Sequence, residues 1–220
     1  MIYLNFKTYE SGTGRNAISM AKIAEEVSIE SGIKIILIVQ PTDIRNVSRS
    51  VSNEVWSQHI DPVGYGAHTG SILSEAVRSA GAVGTVLNHS ENRSDNIDIL
   101  KKEFARSKEV GLKTLIFAKD LEELNSVSSL RPDFISYEPP ALIGSRDASV
   151  ASSEPDIVLK ATLISKKVGI PLIVGAGVHS TQDVSTCVKL GAAGIAVASD
   201  IMNAENPKKE LLKLANGFKF

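Results

Sequence analysis

The stretch Gly32-Ile33-Lys34-Ile35-Ile36-Leu37-Ile38-Val39 decides the fold, because its pattern returns four more times along the chain. A helical pattern stops at Gly, one or two residues follow, and a short apolar run rich in β-branched residues begins. The other junctions are Gly81-Ala82 before Val83 to Leu87, Gly111-Leu112 before Lys113 to Phe117, Gly169 before Ile170 to Val174, and Gly191-Ala192 before Ala193 to Val197. Each reads as a helix C-cap feeding a strand buried on both faces. Gly enters the left-handed cap without a Cβ clash, and continuous apolar runs suit strands covered on both sides. Three further strands, Ile2 to Phe6, Val55 to His59 and Asp133 to Tyr137, bring the total to eight, with helical patterns between them.

The 220 residues divide into eight units of about 27, room for a strand, a helix and short connections. A closed (β/α)8 barrel is favoured over an open doubly wound sheet. No Gly-x-Gly-x-x-Gly turn follows the first strand, and the units run evenly with no linker, so residues 1–220 read as one domain. The polar stretch Gly144 to Ser153 reads as a loop. Ser153 and Asp156 form a capping pattern, and Ile157, Ala161, Ile164 and Val168 one apolar helix face; Ile97, Leu100 and Phe104 form another. Leu121 to Val127 offers barely two turns, so the helices between the fourth and sixth strands read as short.

Composition narrows the partners. With 43% hydrophobic residues and a net charge of −1, the chain builds a core and shows no basic footprint for nucleic acid. No apolar run approaches the roughly 18 residues of a membrane helix. The N-terminus has no basic segment leading a longer apolar one. Cys187 is a single cysteine inside a helical pattern, which fits a buried thiol in a reducing cytoplasm.

Barrel chemistry sits where strands meet the following loops. Asn5 and Lys7 end the first strand two residues apart and so share a face; a lysine opening a solvated loop fits the same residues. His89 ends the fourth strand before Ser90 and Glu91. Helix amides starting there would keep its imidazole neutral, and a structural histidine fits equally. Glu138 ends the sixth strand and is placed to act as a base, though an exposed acid before a proline turn fits too. The segment Pro139-Pro140-Ala141-Leu142-Ile143-Gly144-Ser145 is stiff, then apolar, then flexible, which suits a lid. Gly175-Ala176-Gly177 and Ala198-Ser199 are small enough for backbone amides to approach a phosphate, or simply to form tight turns.

Six segments together resemble the triosephosphate isomerases, in particular their short archaeal form. They are Asn5 to Tyr9, His59 to Pro62, His68 to Gly70, Asn88 to Arg93, Glu138 to Pro140 with Leu142 to Gly144, and Gly175 to Gly177. The resemblance implies interconversion of dihydroxyacetone phosphate and glyceraldehyde 3-phosphate through an enediolate, a step of glycolysis and gluconeogenesis that uses neither metal nor cofactor. It implies Glu138 as base, neutral His89 as electrophile, Lys7 as fixed positive charge, Asn5 and Phe6 beside the substrate, and Glu91 in support. Ile143 and Gly144 would cover the substrate from the lid. The phosphate would lie against Gly144, Gly177, Ala198 and Ser199. It further implies a homodimer or homotetramer, with the loop from Tyr65 to Gly70, and Thr69 within it, entering a neighbour. Two rivals remain: a metal-dependent sugar-phosphate epimerase built on His59-x-Asp61, and a module that binds phosphorylated metabolites without turning them over.

Overall fold

Gly32, Gly81, Gly111, Gly169 and Gly191 all take positive φ and turn the chain from a helix end toward the next strand, as their spacing predicts. They belong to a computed structural model that describes residues 1–94, 96–140, 153, 155–175 and 177–219. The strands are β1 (Ile2–Asn5), β2 (Ile35–Val39), β3 (Val55–Ser57), β4 (Gly84–Leu87), β5 (Lys113–Ala118), β6 (Phe134–Tyr137), β7 (Leu172–Val174) and β8 (Gly194–Val197). All pair in parallel and in sequence order, and β8 returns to β1 with Ile2 opposite Ile195, closing the barrel.

Among the described residues the helices are α1 (Arg15–Ser31), α2 (Ile44–Ser48), α3 (Ser74–Ala80), α4 (Ile97–Glu109), α5 (Leu121–Ser128), α6 (Pro155–Val168), α7 (Thr181–Lys189), α8 (Ser199–Met202) and α9 (Pro207–Asn216). The economy of length is only partly where the sequence suggested: α5 is short, at eight residues, but α4 is not. After the fourth strand α4 runs 13 residues, whereas α2 has five and α3 seven. In α2 only Ile44 and Val47 are buried, so little more than one turn covers the strands beneath.

Alternation along each strand separates two core layers. Tyr3, Ile38, Trp56, Val86 and Phe117 fill the barrel interior, while Ile2, Leu4, Ile35, Leu37 and Leu87 pack outward against the helices. Tyr3 meets Trp56 edge-on with ring centroids 5.3 Å apart, and Phe134 closes the group at 5.6 Å from Tyr3. Gly84 makes room for this cluster: a Cβ there would stand 2.4 Å from the Trp56 ring.

The buried ridge of α6 is turned from the expected one, running through Val158, Ala161, Thr162 and Ser165, with Ile157, Ile164 and Val168 at its margins. Thr162 Oγ1 donates to the Val158 carbonyl at 2.9 Å and Ser165 Oγ to the Ile170 carbonyl, so both hydroxyls enter the core satisfied. Ser153 is itself helical, and residue 154, between it and α6, lies outside the described residues. In α4, Leu100 is buried and Phe104 partly so, but Ile97 is exposed. Cys187 is buried in α7, and that burial pushes its thiol up to about 12. No helix among the described residues is long and apolar enough to cross a membrane.

Candidate active site

The pleat of β1 puts Asn5 on the same face as Tyr3, at the open end of the barrel interior. Two residues on, Lys7 adopts a left-handed backbone with φ 46°, which costs an L-residue free energy unless its surroundings impose it. They do. The Lys7 amide donates to Asn5 Oδ1 at 3.0 Å, and Gln58 Nε2 donates to the Lys7 carbonyl at 2.8 Å. Asn5 thus shapes the turn that aims Lys7. The lysine is mostly buried, 17% exposed, and its Nζ lies 2.8 Å from Glu91 Oε1.

A second left-handed residue, Asn88 with φ 57°, breaks the chain away from β4 and presents His89. The Asn88 side-chain Nδ2 donates to the Phe117 carbonyl at 2.9 Å and to Glu123 Oε1 at 3.1 Å, which locks the kink. His89 is buried with its ring edge-on to Phe117, centroids 4.8 Å apart. No helix begins at Glu91, contrary to the sequence expectation. Residues 89–92 form a tight turn, with the Asn92 amide donating to the His89 carbonyl at 2.8 Å, and α4 starts only at Ile97. One amide suffices: Glu91 N–H donates to His89 Nδ1 at 3.1 Å. Because an amide only donates, Nδ1 is the acceptor and the proton of the neutral ring sits on Nε2.

Glu138 and Glu91 lie within 4 Å of the ring and favour its protonation. Burial outweighs them and holds the His89 pKa below the ordinary histidine value, and Lys7 adds in the same direction. The ring is therefore poised as a neutral Nε2–H donor. Glu138 follows β6, its amide bonded to the Ala118 carbonyl at 2.9 Å. Its Oε2 stands 3.6 Å from His89 Nε2 and accepts Ser90 Oγ at 3.0 Å. Its Oε1 faces Gly175, where an added Cβ would approach to 2.9 Å. The glycine just after β7 thus leaves room for the carboxylate beside it.

Asn5, Lys7, His89 and Glu138 line one cleft with Gly177, Ala198 and Ser199. Phe6 is displaced from the expected set: its ring is fully buried in the outer core layer, since it faces opposite to Asn5. Pro139 is buried and Pro140 exposed. The remaining lid residues Ala141 to Ser145, including Ile143 and Gly144, lie outside the described residues, as does Ala176. Three contributors had no clear sequence signal: Gln58, which holds the Lys7 turn, and His179 with Asp200, which also line the cleft.

The His59-x-Asp61 pair has a plain structural account. The Asp61 carboxylate accepts the Ile72 amide and its own amide donates to the Ile72 carbonyl, so it fastens the base of the 61–72 loop. Among the described residues no group of three His, Cys, Asp or Glu side chains gathers to hold a metal.

The same chain, taken whole, matches known proteins. A family model described as triosephosphate isomerase matches residues 1–217. A triosephosphate isomerase of Metallosphaera sedula is 41% identical over 218 residues, covering 99% of this chain and 95% of that protein. One from Saccharolobus solfataricus is 42% identical over 212 residues, covering 95% and 92%. The crystal structure of triosephosphate isomerase from Bartonella henselae superposes with a TM-score of 0.74 at 18% identity, covering 100% of this chain and 98% of the other, and so shares the fold. With the family model spanning nearly every residue and the relatives aligned end to end, the chain belongs to the triosephosphate isomerase family.

Proposed function

We propose that residues 1–220 act as one catalytic domain that interconverts dihydroxyacetone phosphate and D-glyceraldehyde 3-phosphate. Family membership supports the substrate pair, and one geometric observation supports the chemistry: a carboxylate and a neutral imidazole Nε2–H stand 3.6 Å apart in the cleft that Lys7 also lines. Glu138 removes the proton from the carbon next to the carbonyl. The C–H electron pair forms the C=C bond and the carbonyl electrons move onto oxygen, where His89 Nε2–H and the Lys7 charge meet the developing oxyanion. His89 passes its proton between the two oxygens, and protonated Glu138 returns a proton to the neighbouring carbon. The phosphate lies against backbone at Gly177, Ala198 and Ser199, joined by Gly144 when the lid from Pro139 to Ser145 covers the substrate. No metal or cofactor enters this scheme.

The enzyme acts as an oligomer in the cytoplasm. Its Tyr65 to Gly70 loop supports that reading, since Tyr65 is 80% exposed and an aromatic this bare suits a contact with a second copy. An assay of glyceraldehyde 3-phosphate coupled to a dehydrogenase for the ketose product tests the proposal. Wild type turns over, and Glu138→Asp, which withdraws the base by one methylene, loses on the order of a hundredfold or more in kcat with KM little changed. Binding without turnover by the wild type would favour the metabolite-binding module instead.

A further inference from the structure

His179 sits between β7 and α7, in the short loop that also carries Gly177. Its amide donates to Asp183 Oδ2 at 3.2 Å, and the same carboxylate takes the Ser180 amide in the capping box of α7, so the backbone of His179 is fixed to a helix start. Its ring reaches across to the short helix α8 that follows β8, where Nδ1 pairs with Asp200 Oδ2. That pairing puts a proton on Nδ1, because a carboxylate accepts. The side chain is 24% exposed, yet Nε2 itself is buried and has no hydrogen-bond partner among the described residues. A buried ring nitrogen without a partner costs free energy, and this one belongs to a residue lining the cleft beside Gly177 and Ser199.

Charge points the same way. The charged side chains described along the cleft are Lys7, Glu138 and Asp200, and Lys7 is already engaged by Glu91. A dianion entering there meets two carboxylates. A ring held between the Asp200 carboxylate and a phosphate oxygen donates to both, turning a repulsive corner into a binding one.

We propose that His179, oriented by Asp200, is a ligand of the substrate's phosphate group, its Nε2–H donating to a phosphate oxygen beside the backbone of Gly177 and Ser199. This rests on the reading of those backbone segments as the phosphate end of the cleft. His179 is then the side-chain contact of that end, and Asp200 is a positioning residue that holds the ring.

Two probes test it: sulfate, with affinity measured by calorimetry, and D-glyceraldehyde, which lacks the phosphate, with turnover followed by NMR. Thermal melts check that each variant folds. His179→Gln weakens sulfate roughly tenfold and lowers kcat/KM for glyceraldehyde 3-phosphate by roughly the same factor, as loss of one charge-assisted hydrogen bond implies. Its loss on D-glyceraldehyde stays below about threefold, because the reacting groups keep their places. Asp200→Asn weakens sulfate in the same direction by a smaller factor, and it carries the sulfate test by itself should His179→Gln not fold. Equal losses on both triose substrates would make His179 a structural clip and overturn the proposal. So would unchanged sulfate affinity in His179→Gln, or tighter sulfate in Asp200→Asn, which would mean that Asp200 merely repels. Calorimetry with sulfate needs no turnover, so an inactive wild type sinks the isomerase reading while the phosphate contact is still decided.

Discussion

His89 shows how two modest local effects set the protonation of one residue. A single turn amide fixes the tautomer, and burial against Phe117 keeps the ring neutral although two carboxylates stand nearby. This has a consequence for stability. The folded-state pKa lies below the ordinary 6.5, so as pH falls from about 6.5 toward the folded value the unfolded chain holds a proton that the folded chain lacks. The contribution is complete above about pH 6.5 and is lost through that window. Thermal melts from pH 7 to 5 should show wild type losing more stability than His89→Gln, whose side chain does not titrate; equal losses would remove His89 as a source of the slope. The identity of His89, Glu138 and Lys7 as candidates is legible in their strand-end positions. Their poise is not, because it depends on Ser90, Gln58, Phe117 and Gly175, which come from other strands and loops.

At the scale of elements, side-chain caps mark the starts of several helices. Asn96 Oδ1 accepts the amides of Asp98 and Ile99 at 3.0 and 3.1 Å, Asp120 accepts Glu123, and Ser180 and Asp183 cap each other. Asn96→Ala should cost about 1 kcal/mol of stability in urea denaturation. Since Asn96 starts α4 away from the catalytic cleft, kcat/KM should stay close to wild type; a large loss of activity would mean that α4 supports His89 directly. The five Gly junctions were readable because each demand is local, a positive φ followed by an apolar run. The face of α6 was not. Thr162 and Ser165 are polar by composition and enter the core only because Val158 and Ile170 carbonyls lie within reach.

For the whole molecule, closure of β8 on β1 gathers the ends of eight strands at one mouth, which brings Asn5, His89, Glu138 and Ser199 to a common cleft despite their separation in the chain. The exposed Tyr65 belongs to this scale too. Gel filtration with light scattering should return an oligomer for wild type, and Tyr65→Arg, which puts a charge where an apolar contact is expected, should shift the population toward monomer. A wild-type monomer would end the proposed assembly.

By itself the sequence determined the eightfold alternation, the junctions between helices and strands, and the strand-end positions of the candidate residues, since these follow from periodicity and short-range sterics. Only the tertiary structure decided which nitrogen of His89 holds the proton, why Gly175 and Gly84 are small, and that His179 and Asp200 pair at the mouth. Each of these depends on distances between residues far apart in sequence, and the barrel sets those distances only when it closes.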